Sequence, residues 1–317
     1  MAQLTTDQSS APTADHVVSA THNEFDSRLA PVLTVDSGSV VVFDCPAPPL
    51  PPGATAADLD RIDFSHPHTI AGPVAVAGAR PGDALAIDIL SLELPQPYGH
   101  TLFVPGVGLL PEEFNEPYVH NFAFHDGFAE LRPGVRIPIE PFCGILGLAP
   151  AGPGPHPTIP PRRVGGNLDV RDLTVGARLI LPIEVDGGLL SCGDGHAAQG
   201  DGEVCVTAIE TAIRATLRLT LLKGAGVATP RFTAGPSSPH RGAAGWFAIS
   251  APSEDLLEGA RQAVREMIDH LVSERGLTRA EAYVLCSVAV DLRVSEIVNW
   301  PSYVVTAYLP LSVFRFD

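Results

Sequence analysis

The chain has 317 residues, of which 45% are apolar and 18% are charged, and its formal net charge is −16. Because its only lysine is Lys223, it offers no basic surface for nucleic acid or an anionic membrane, and neither is expected as a partner. Thirty glycines and 31 prolines favour many short elements joined by turns and exclude a helical bundle, and no apolar run approaches the ~18 residues of a membrane helix.

The N-terminal residues 1–15 are rich in Ser, Thr and Ala, which predicts a flexible tail. They lack the basic start and the apolar stretch of a targeting segment, and the five widely spaced cysteines form no CxxC pair. We therefore expect a cytoplasmic protein with buried thiols. A Pro/Gly-rich loop over 149–161 predicts a boundary between an N-terminal β subdomain, 16–158, and a C-terminal β subdomain with two helices, 159–317.

The first half of the chain shows mainly β patterns. β-branched residues on both sides of Asp36-Ser37-Gly38 predict a hairpin over 31–43, and a proline-rich loop follows over 45–53. Residues 72–94 predict a strand, a turn and a second strand whose apolar residues alternate. The remaining expectations for this half are an irregular stretch over 95–135 and an apolar strand over 142–148.

Helices are expected only near the C-terminus. Asp255 and its neighbours cap a run with apolar residues at helical spacing, Gly276 ends it, and Thr278 with Glu281 forms a capping box that opens a second helix. The other expected elements are a strand over 178–185, two strands after Glu203 (or a helix over 203–214), and a final strand over 302–309. The fold class is therefore mainly β (α+β), an antiparallel sandwich or barrel with a C-terminal helical pair.

The densest polar cluster runs from Gly193 to Glu203. Asp194 and His196 are two residues apart, so on an extended segment they face the same side and can share a divalent ion. Glu203 is a candidate ligand or a candidate base for a metal-activated water. The alternative is a Gly/Asp-rich turn with a solvated histidine.

Other polar positions could complete such a site. Asn167 and Asp169 also share one face of an extended segment, although for this segment alone an Asx turn is the better explanation. His22 could supply a further nitrogen ligand, and the pair His66-Pro67-His68 could bind metal or simply be exposed. The role of Glu210 depends on whether its segment is a strand or a helix.

Several familiar catalytic signatures are missing. The sequence has no GxSxG elbow, no P-loop, no GxGxxG after a strand and no HExxH. A single lysine excludes amidases with Ser-Ser-Lys or Glu-Lys-Cys machinery, because Lys223 has no nucleophile motif around it. Cys192 and Cys205 lie near His196, but both neighbour apolar strands and are expected in the core.

Two long motifs resemble the acetamidase/formamidase family, and the resemblance extends over roughly residues 20–315. The matching segments are Gly165-Gly166-Asn167-x-Asp169, Gly193-Asp194-x-His196-Ala197-x-Gln199-Gly200-Asp201-Gly202-Glu203, and the N-terminal Gly78-Ala79-x-Pro81-Gly82-Asp83. The second motif is long enough to be specific, unlike a single glycine-rich turn.

The resemblance implies hydrolysis of short aliphatic amides, such as formamide or acetamide, to a carboxylate and ammonia. It also implies a divalent metal, with zinc expected and calcium as an addition, and a homo-oligomer, either a dimer or a tetramer. By similarity, the site consists of the polar residues of the two motifs. We assign catalytic roles to Glu203, Asp194 and His196, metal binding to Asp169, Asp194 and His196 with His22 as an extra ligand from outside the motifs, and substrate binding to Asn167 and Gln199.

Three other functions compete with this one. A related metal hydrolase could act on a cyclic amide, a urea-like compound or another carbonyl substrate. A non-catalytic β-sandwich binding module could hold calcium in the Gly/Asp loop, in which case all ligands would be oxygens and His196 would be inert. The third alternative is that this protein is a relative of the family that kept the fold and lost the enzymatic activity.

Overall fold

Short β-branched and alternating segments dominate the chain, and in the computed structural model they form strands. The described residues are 14–234, 245–298 and 300–314, so the predicted tail lies almost entirely outside them. The strands are β1 (His16–Val18), β2 (Thr21–His22), β3 (Glu24–Phe25), β4 (Leu33–Val35), β5 (Val40–Cys45), β6 (Ile70–Val76), β7 (Ala84–Glu93), β8 (Tyr98–Phe103), β9 (Tyr118–His125), β10 (Phe128–Arg132), β11 (Val135–Pro138), β12 (Phe142–Gly147), β13 (His156–Pro157), β14 (Gly165–Asn167), β15 (Arg178–Pro182), β16 (Leu190–His196), β17 (Glu210–Thr211), β18 (Ile213–Leu222), β19 (Arg231–Thr233), β20 (Trp246–Ser253), β21 (Asp291–Glu296) and β22 (Tyr303–Pro310). The helices are α1 (Leu256–Arg275) and α2 (Arg279–Ala289).

The described residues form two large sheets and two small ones, of which the smallest pairs β13 with β3. The first large sheet has the order β1-β5-β18-β7-β15-β19, and the second contains β11-β10-β9-β8-β17-β16-β12-β14 with β6 beside β16 and with β2 and β4 beside β6. A three-stranded sheet, β20-β22-β21, packs against α1. Both large sheets combine strands from before and after residue 158, for example β7 beside β18 and β12 beside β16. The predicted mainly β class with two late helices is confirmed.

Two apolar cores hold these layers together. One fills the space between the large sheets and contains Phe43, Ile87 and Leu217. The other lies under the helices and contains Phe122, Tyr283 and the residues around them. The backbone of the site strand β16 is fixed on both edges, by β12 on one side and by β6 and then β17 on the other.

Some expected elements are wrong in detail. The strands β4 and β5 form on either side of residues 36–38, but β4 pairs with β6 and β5 pairs with β1 and β18, so no hairpin forms. Residues 95–135 are not irregular, because they contain β8, β9 and β10. After Glu203 the chain forms turns and only then β17 and β18, which excludes the helix over 203–214.

The two helices begin and end as the sequence predicts. The Asp255 carboxylate accepts a hydrogen bond from Glu258 N–H, Gly276 takes the left-handed conformation at the end of α1, and Thr278 with Glu281 forms the capping box of α2. Neither of these helices has the length and apolar character needed to cross a bilayer.

Candidate active site

The strand β16 ends in the polar cluster that the sequence singles out. Asp194 and His196 leave it on the same side, and Asp194 Oδ2 lies 3.5 Å from His196 Nε2. On the adjacent strand β17, Glu210 is the register partner of His196, and its Oε1 lies 3.3 Å from His196 Nε2. Cross-strand partners face the same side of a sheet, which explains why this glutamate meets the histidine.

The segment after β14 brings Asp169 to the same place. Leu168 N–H and Asp169 N–H both donate to the carbonyl of Gly144 on β12, at 3.0 and 3.3 Å. This anchor holds the Asp169 carboxylate so that its ligand atom, with those of His196 and Glu203, lies within 4.8 Å of the others. Asp169 Oδ1 is buried and has no hydrogen-bond partner.

A tight turn after β16 supplies Glu203. Its N–H donates to the Gly200 carbonyl at 3.2 Å, and its carbonyl accepts from Val206 N–H at 2.9 Å. Glu203 Oε1 lies 3.9 Å from His196 Nε2. We call Asp169, Asp194, His196, Glu203 and Glu210 the His196 cluster.

Three carboxylates of the His196 cluster sit on strained backbone. Asp169, Asp194 and Glu203 have φ angles of 48°, 58° and 44°. This left-handed region is uncommon for residues other than glycine, and each such residue costs on the order of 1–3 kcal/mol. Strain concentrated at one point of a fold is typical of sites that position side chains for function.

Negative charge is crowded in the His196 cluster. Burial raises the pKa of Asp169 to about 7, and burial together with neighbouring Asp169 raises the pKa of Glu203 well above its usual value. Burial also raises the pKa of Glu210. Four carboxylates therefore compete for one buried imidazole, and a bound cation would relieve their repulsion.

Opposite charges shift the pKa values of His196 and Asp194. Burial disfavours the charged form of both His196 and Asp194, but their mutual attraction outweighs it. Glu210 and Asp194 hold the pKa of His196 well above its usual value. His196 and His68 hold the pKa of Asp194 below the usual value of an aspartate.

Gln199 fixes the orientation of the histidine. Its side-chain oxygen can only accept, so His196 Nδ1 donates to Gln199 Oε1 at 2.9 Å, while Gln199 Nε2 donates to the Asp169 carbonyl at 2.9 Å. His196 Nε2 therefore points at the carboxylates, where it is buried and has no hydrogen-bond partner. Gln199 was expected to bind substrate, and in the structure its side-chain amide bridges His196 and the Asp169 backbone.

The other predicted residues are divided between the cluster and the rest of the fold. Asn167 lines the cleft beside Asp169, and its buried Oδ1 has no hydrogen-bond partner. His22 does not reach the cluster, because its Nε2 is 2.9 Å from Ser191 Oγ and its Nδ1 is 2.7 Å from the Glu24 carbonyl. His22 is therefore removed from the expected metal ligands.

Two site residues were left undecided by the sequence. Glu210 is in the His196 cluster because its segment is a strand, and strand register against His196 could not be read from spacing. His68 lies beside the cluster, with Nε2 3.9 Å from Asp194 Oδ2 and Nδ1 3.0 Å from Thr158 Oγ1. Its H-x-H pair was the only signal for it, and the other member, His66, is instead near Glu24 and Asp63.

The donor set suits a divalent metal ion. Two groups of three side chains have ligand atoms within 4.8 Å of one another, Asp169-His196-Glu203 and Asp194-His196-Glu210. Carboxylate oxygens with one imidazole nitrogen are ligands of zinc and similar ions. The buried, unpartnered Asp169 Oδ1 and His196 Nε2 are atoms that such an ion would satisfy. The residues present therefore fit the implied metal.

Comparison with known proteins agrees with the motifs. A model of the acetamidase/formamidase family matches residues 6–154 and 151–316. The chain belongs to the acetamidase/formamidase family. It is 28% identical to a formamidase of Methylophilus methylotrophus over 330 aligned positions, which cover 83% of this chain and 81% of that one.

Solved structures of related proteins share the fold. The chain matches a gamma lactamase from Delftia acidovorans with a TM-score of 0.87 at 27% identity, covering 94% of this chain and 90% of that one. It matches an acetamidase from Bacillus halodurans with a TM-score of 0.66 at 33% identity, covering 93% and 97%. The predicted family is confirmed, and this acetamidase/formamidase family member is a hydrolase of amide C–N bonds.

Proposed function

We propose that this amidase hydrolyses small, uncharged amides to a carboxylate and ammonia at the His196 cluster, with a divalent cation held by Asp169, Asp194 and His196. The observation that carries the proposal is the meeting of two buried atoms within groups of metal-ligating side chains: Asp169 Oδ1, which has no hydrogen-bond partner, and His196 Nε2, which is surrounded by carboxylate oxygens at 3.3–3.9 Å. The sequence motifs imply aliphatic amides as its substrates.

Zinc is the first candidate for the cation. The cluster is centred on an imidazole nitrogen, which zinc accepts readily, whereas calcium takes oxygen ligands. A site that served only to hold calcium would not orient His196 Nε2 into the carboxylates through a hydrogen bond from Nδ1 to Gln199.

The cation, when bound, supplies a Lewis acid that acidifies water and polarises the amide carbonyl. Glu203 is the proposed general base. Its raised pKa keeps it basic enough to take a proton from the attacking water, which adds to the carbonyl carbon. Glu203 then delivers that proton to the amide nitrogen, the C–N bond breaks, and ammonia leaves with the carboxylic acid as the second product.

Asn167 is the proposed substrate-orienting residue. Its Oδ1 is buried in the cleft wall without a hydrogen-bond partner, and a substrate N–H group can satisfy it. An amide bound in this way presents its nitrogen to a fixed acceptor, so the carbonyl carbon is held near Glu203.

A cyclic amide is the second candidate substrate. The similarity to the gamma lactamase from Delftia acidovorans, with a TM-score of 0.87 against 0.66 for the Bacillus halodurans acetamidase, favours it. Ring opening would use the same addition and proton transfer, but the product would be a single amino acid and no ammonia would form.

Metal analysis with paired activity assays tests the proposal. We expect stoichiometric zinc in the purified protein, and product release from amides that stops on chelation and returns with added zinc. Glu203→Gln should retain the metal and lose turnover, while the matched control Glu112→Gln, at an exposed position, should behave as wild type. Full activity of metal-free protein, or of Glu203→Gln, would refute the mechanism. The homo-oligomer and the cytoplasmic location stay predictions.

A further inference from the structure

Four carboxylates of the His196 cluster, those of Asp169, Asp194, Glu203 and Glu210, line a cleft together with many apolar residues. Formamide and acetamide carry at most one methyl group beside the amide, so they would leave most of this apolar lining in contact with water. The lining therefore favours a ligand with a larger apolar part.

The rest of the lining is mainly apolar. It includes the proline-rich segment 46–49. Ile62, Phe64, Leu102 and Val206 line the same cleft. A polar end beside an apolar chamber matches a ligand with a polar reacting group and an apolar remainder.

The apolar walls are fixed in place. The chain after the proline-rich segment is tied down by hydrogen bonds from His100 Nε2 to the Pro51 carbonyl at 3.0 Å and from Asn121 Nδ2 to the Ala54 carbonyl at 2.8 Å. Leu102 packs in a small buried cluster with Leu50, Ala54 and Leu59, and Ile62 packs against that cluster. A wall that is ordered before binding loses little conformational entropy when a ligand contacts it.

Two large apolar side chains remain in water at the mouth of the cleft. Phe64 is 49% exposed and Val206 is 45% exposed. Val206 has a φ of 88°, a conformation that a β-branched residue adopts only under strain, in the turn that also positions Glu203. Strain that directs an apolar side chain toward solvent beside the cleft is consistent with a ligand that covers it.

The charge of the lining excludes anionic ligands. Among the described residues that line the cleft are Asp169, Asp194, Glu203 and Glu210, and no lysine or arginine. His68 is the one lining side chain of this set that can carry a positive charge, and it already faces Asp194, so four carboxylates disfavour a carboxylate or phosphate on the ligand.

We infer that this cleft selects uncharged primary amides whose acyl group is an apolar chain or ring of several carbon atoms, which packs against Phe64, Val206 and the proline-rich segment. The inference rests on the proposed function, because the amide group must react at the His196 cluster. It assigns the substrate class by size and polarity, with formamide and acetamide as poor substrates of the same chemistry.

The test is a homologous series with a matched pair of variants. kcat/KM is measured for formamide, acetamide, butanamide, hexanamide and benzamide on the zinc-loaded enzyme. We expect about a fourfold rise for each added CH2 group up to the length of the cleft. Phe64→Ser should flatten this rise, whereas Phe232→Ser, which removes a phenylalanine of similar exposure on β19 outside the cleft, should leave it unchanged.

A binding readout separates the two proposals. Calorimetry of the same amides on Glu203→Gln should give tighter binding of hexanamide than of acetamide, and Phe64→Ser in that background should remove the difference. Hydrolysis that is fastest for formamide or acetamide, with no gain in binding for longer chains, overturns this inference and leaves amide hydrolysis intact. Tight hexanamide binding without hydrolysis of any amide supports the apolar cleft and refutes the proposed function. Absence of both binding and hydrolysis overturns both.

Discussion

Gly144, in the middle of β12, lies directly against the side chains of the His196 cluster. A Cβ added there would lie 2.6 Å from Asp169 Oδ1, 2.7 Å from Asp194 Oδ2 and 2.9 Å from His196 Cε1. The backbone of Gly144 is not in the left-handed region, so alanine suits the strand itself. Gly144→Ala therefore perturbs the site through three contacts at once and leaves the backbone conformation permitted.

The size of the effect follows from these distances. Ordinary van der Waals contact begins at 3.4 Å, so the nearest carboxylate oxygen must move by about 0.8 Å. Displacement of reacting groups by 1 Å costs roughly 100-fold in rate. We expect kcat/KM to fall by about 50- to 100-fold, or about 2–3 kcal/mol in transition-state binding, and zinc affinity to fall as well. Overpacking should lower the free energy of unfolding by about 1–3 kcal/mol.

Steady-state kinetics, zinc titration and denaturant unfolding of the same preparations provide the assay. The control is Gly259→Ala in α1, where the added Cβ would meet its neighbours at 3.4–3.5 Å in a helical position that favours alanine. A folded Gly144→Ala protein with wild-type zinc affinity and kcat/KM within about threefold of wild type would refute the prediction that a Cβ at position 144 displaces the carboxylates of the His196 cluster.

Three further changes probe the supports of the site. Gln199→Leu removes the acceptor for His196 Nδ1, and we expect zinc affinity to fall about 10- to 100-fold in competition with a chelator. Asn167→Ala removes the proposed substrate contact and should raise KM for primary amides while zinc affinity stays unchanged. Asp291→Ala removes a carboxylate that is fully buried against Arg171, and urea unfolding should show a loss of about 3 kcal/mol or more.

For each of these three substitutions, one outcome would contradict the prediction. Unchanged zinc affinity in Gln199→Leu would mean that the hydrogen bond does not orient the metal ligand. Loss of zinc from Asn167→Ala would move that residue from substrate binding to metal binding. Wild-type stability of Asp291→Ala would mean that water reaches the Arg171 guanidinium, and Asp291→Asn, which keeps the volume, is the control for packing.

The chemistry of neighbouring residues in the sequence was enough to predict several elements. The capping residues Asp255, Thr278 and Gly276 specify the ends of α1 and α2, because a cap satisfies backbone groups within one turn of its own position. The alternation in β7 likewise identifies a strand with one apolar face. The pair Asp194 and His196 faces one side because side chains two apart always do so on a strand.

Pairing between distant segments could not be read in the same way. The turn at residues 36–38 resembles a hairpin, yet β4 and β5 join different sheets, because pairing partners are chosen by burial across the whole fold. Short strands within residues 95–135 depend on neighbours for their apolar contacts and carry little periodic signal of their own.

The candidate site shows the same difference between what neighbouring residues specify and what distant segments specify. Motifs and local patterns in the sequence were enough to predict the family and the mainly β class with its late helices, and they named Asp169, His196 and Glu203 as candidates for the site. Only the tertiary structure decided that Glu210 faces His196 and that His22 is held away by Ser191 and Glu24. Motif spacing is a property of neighbouring residues, whereas a metal site is closed by contacts between segments whose distance in space is fixed only when the sheets pack.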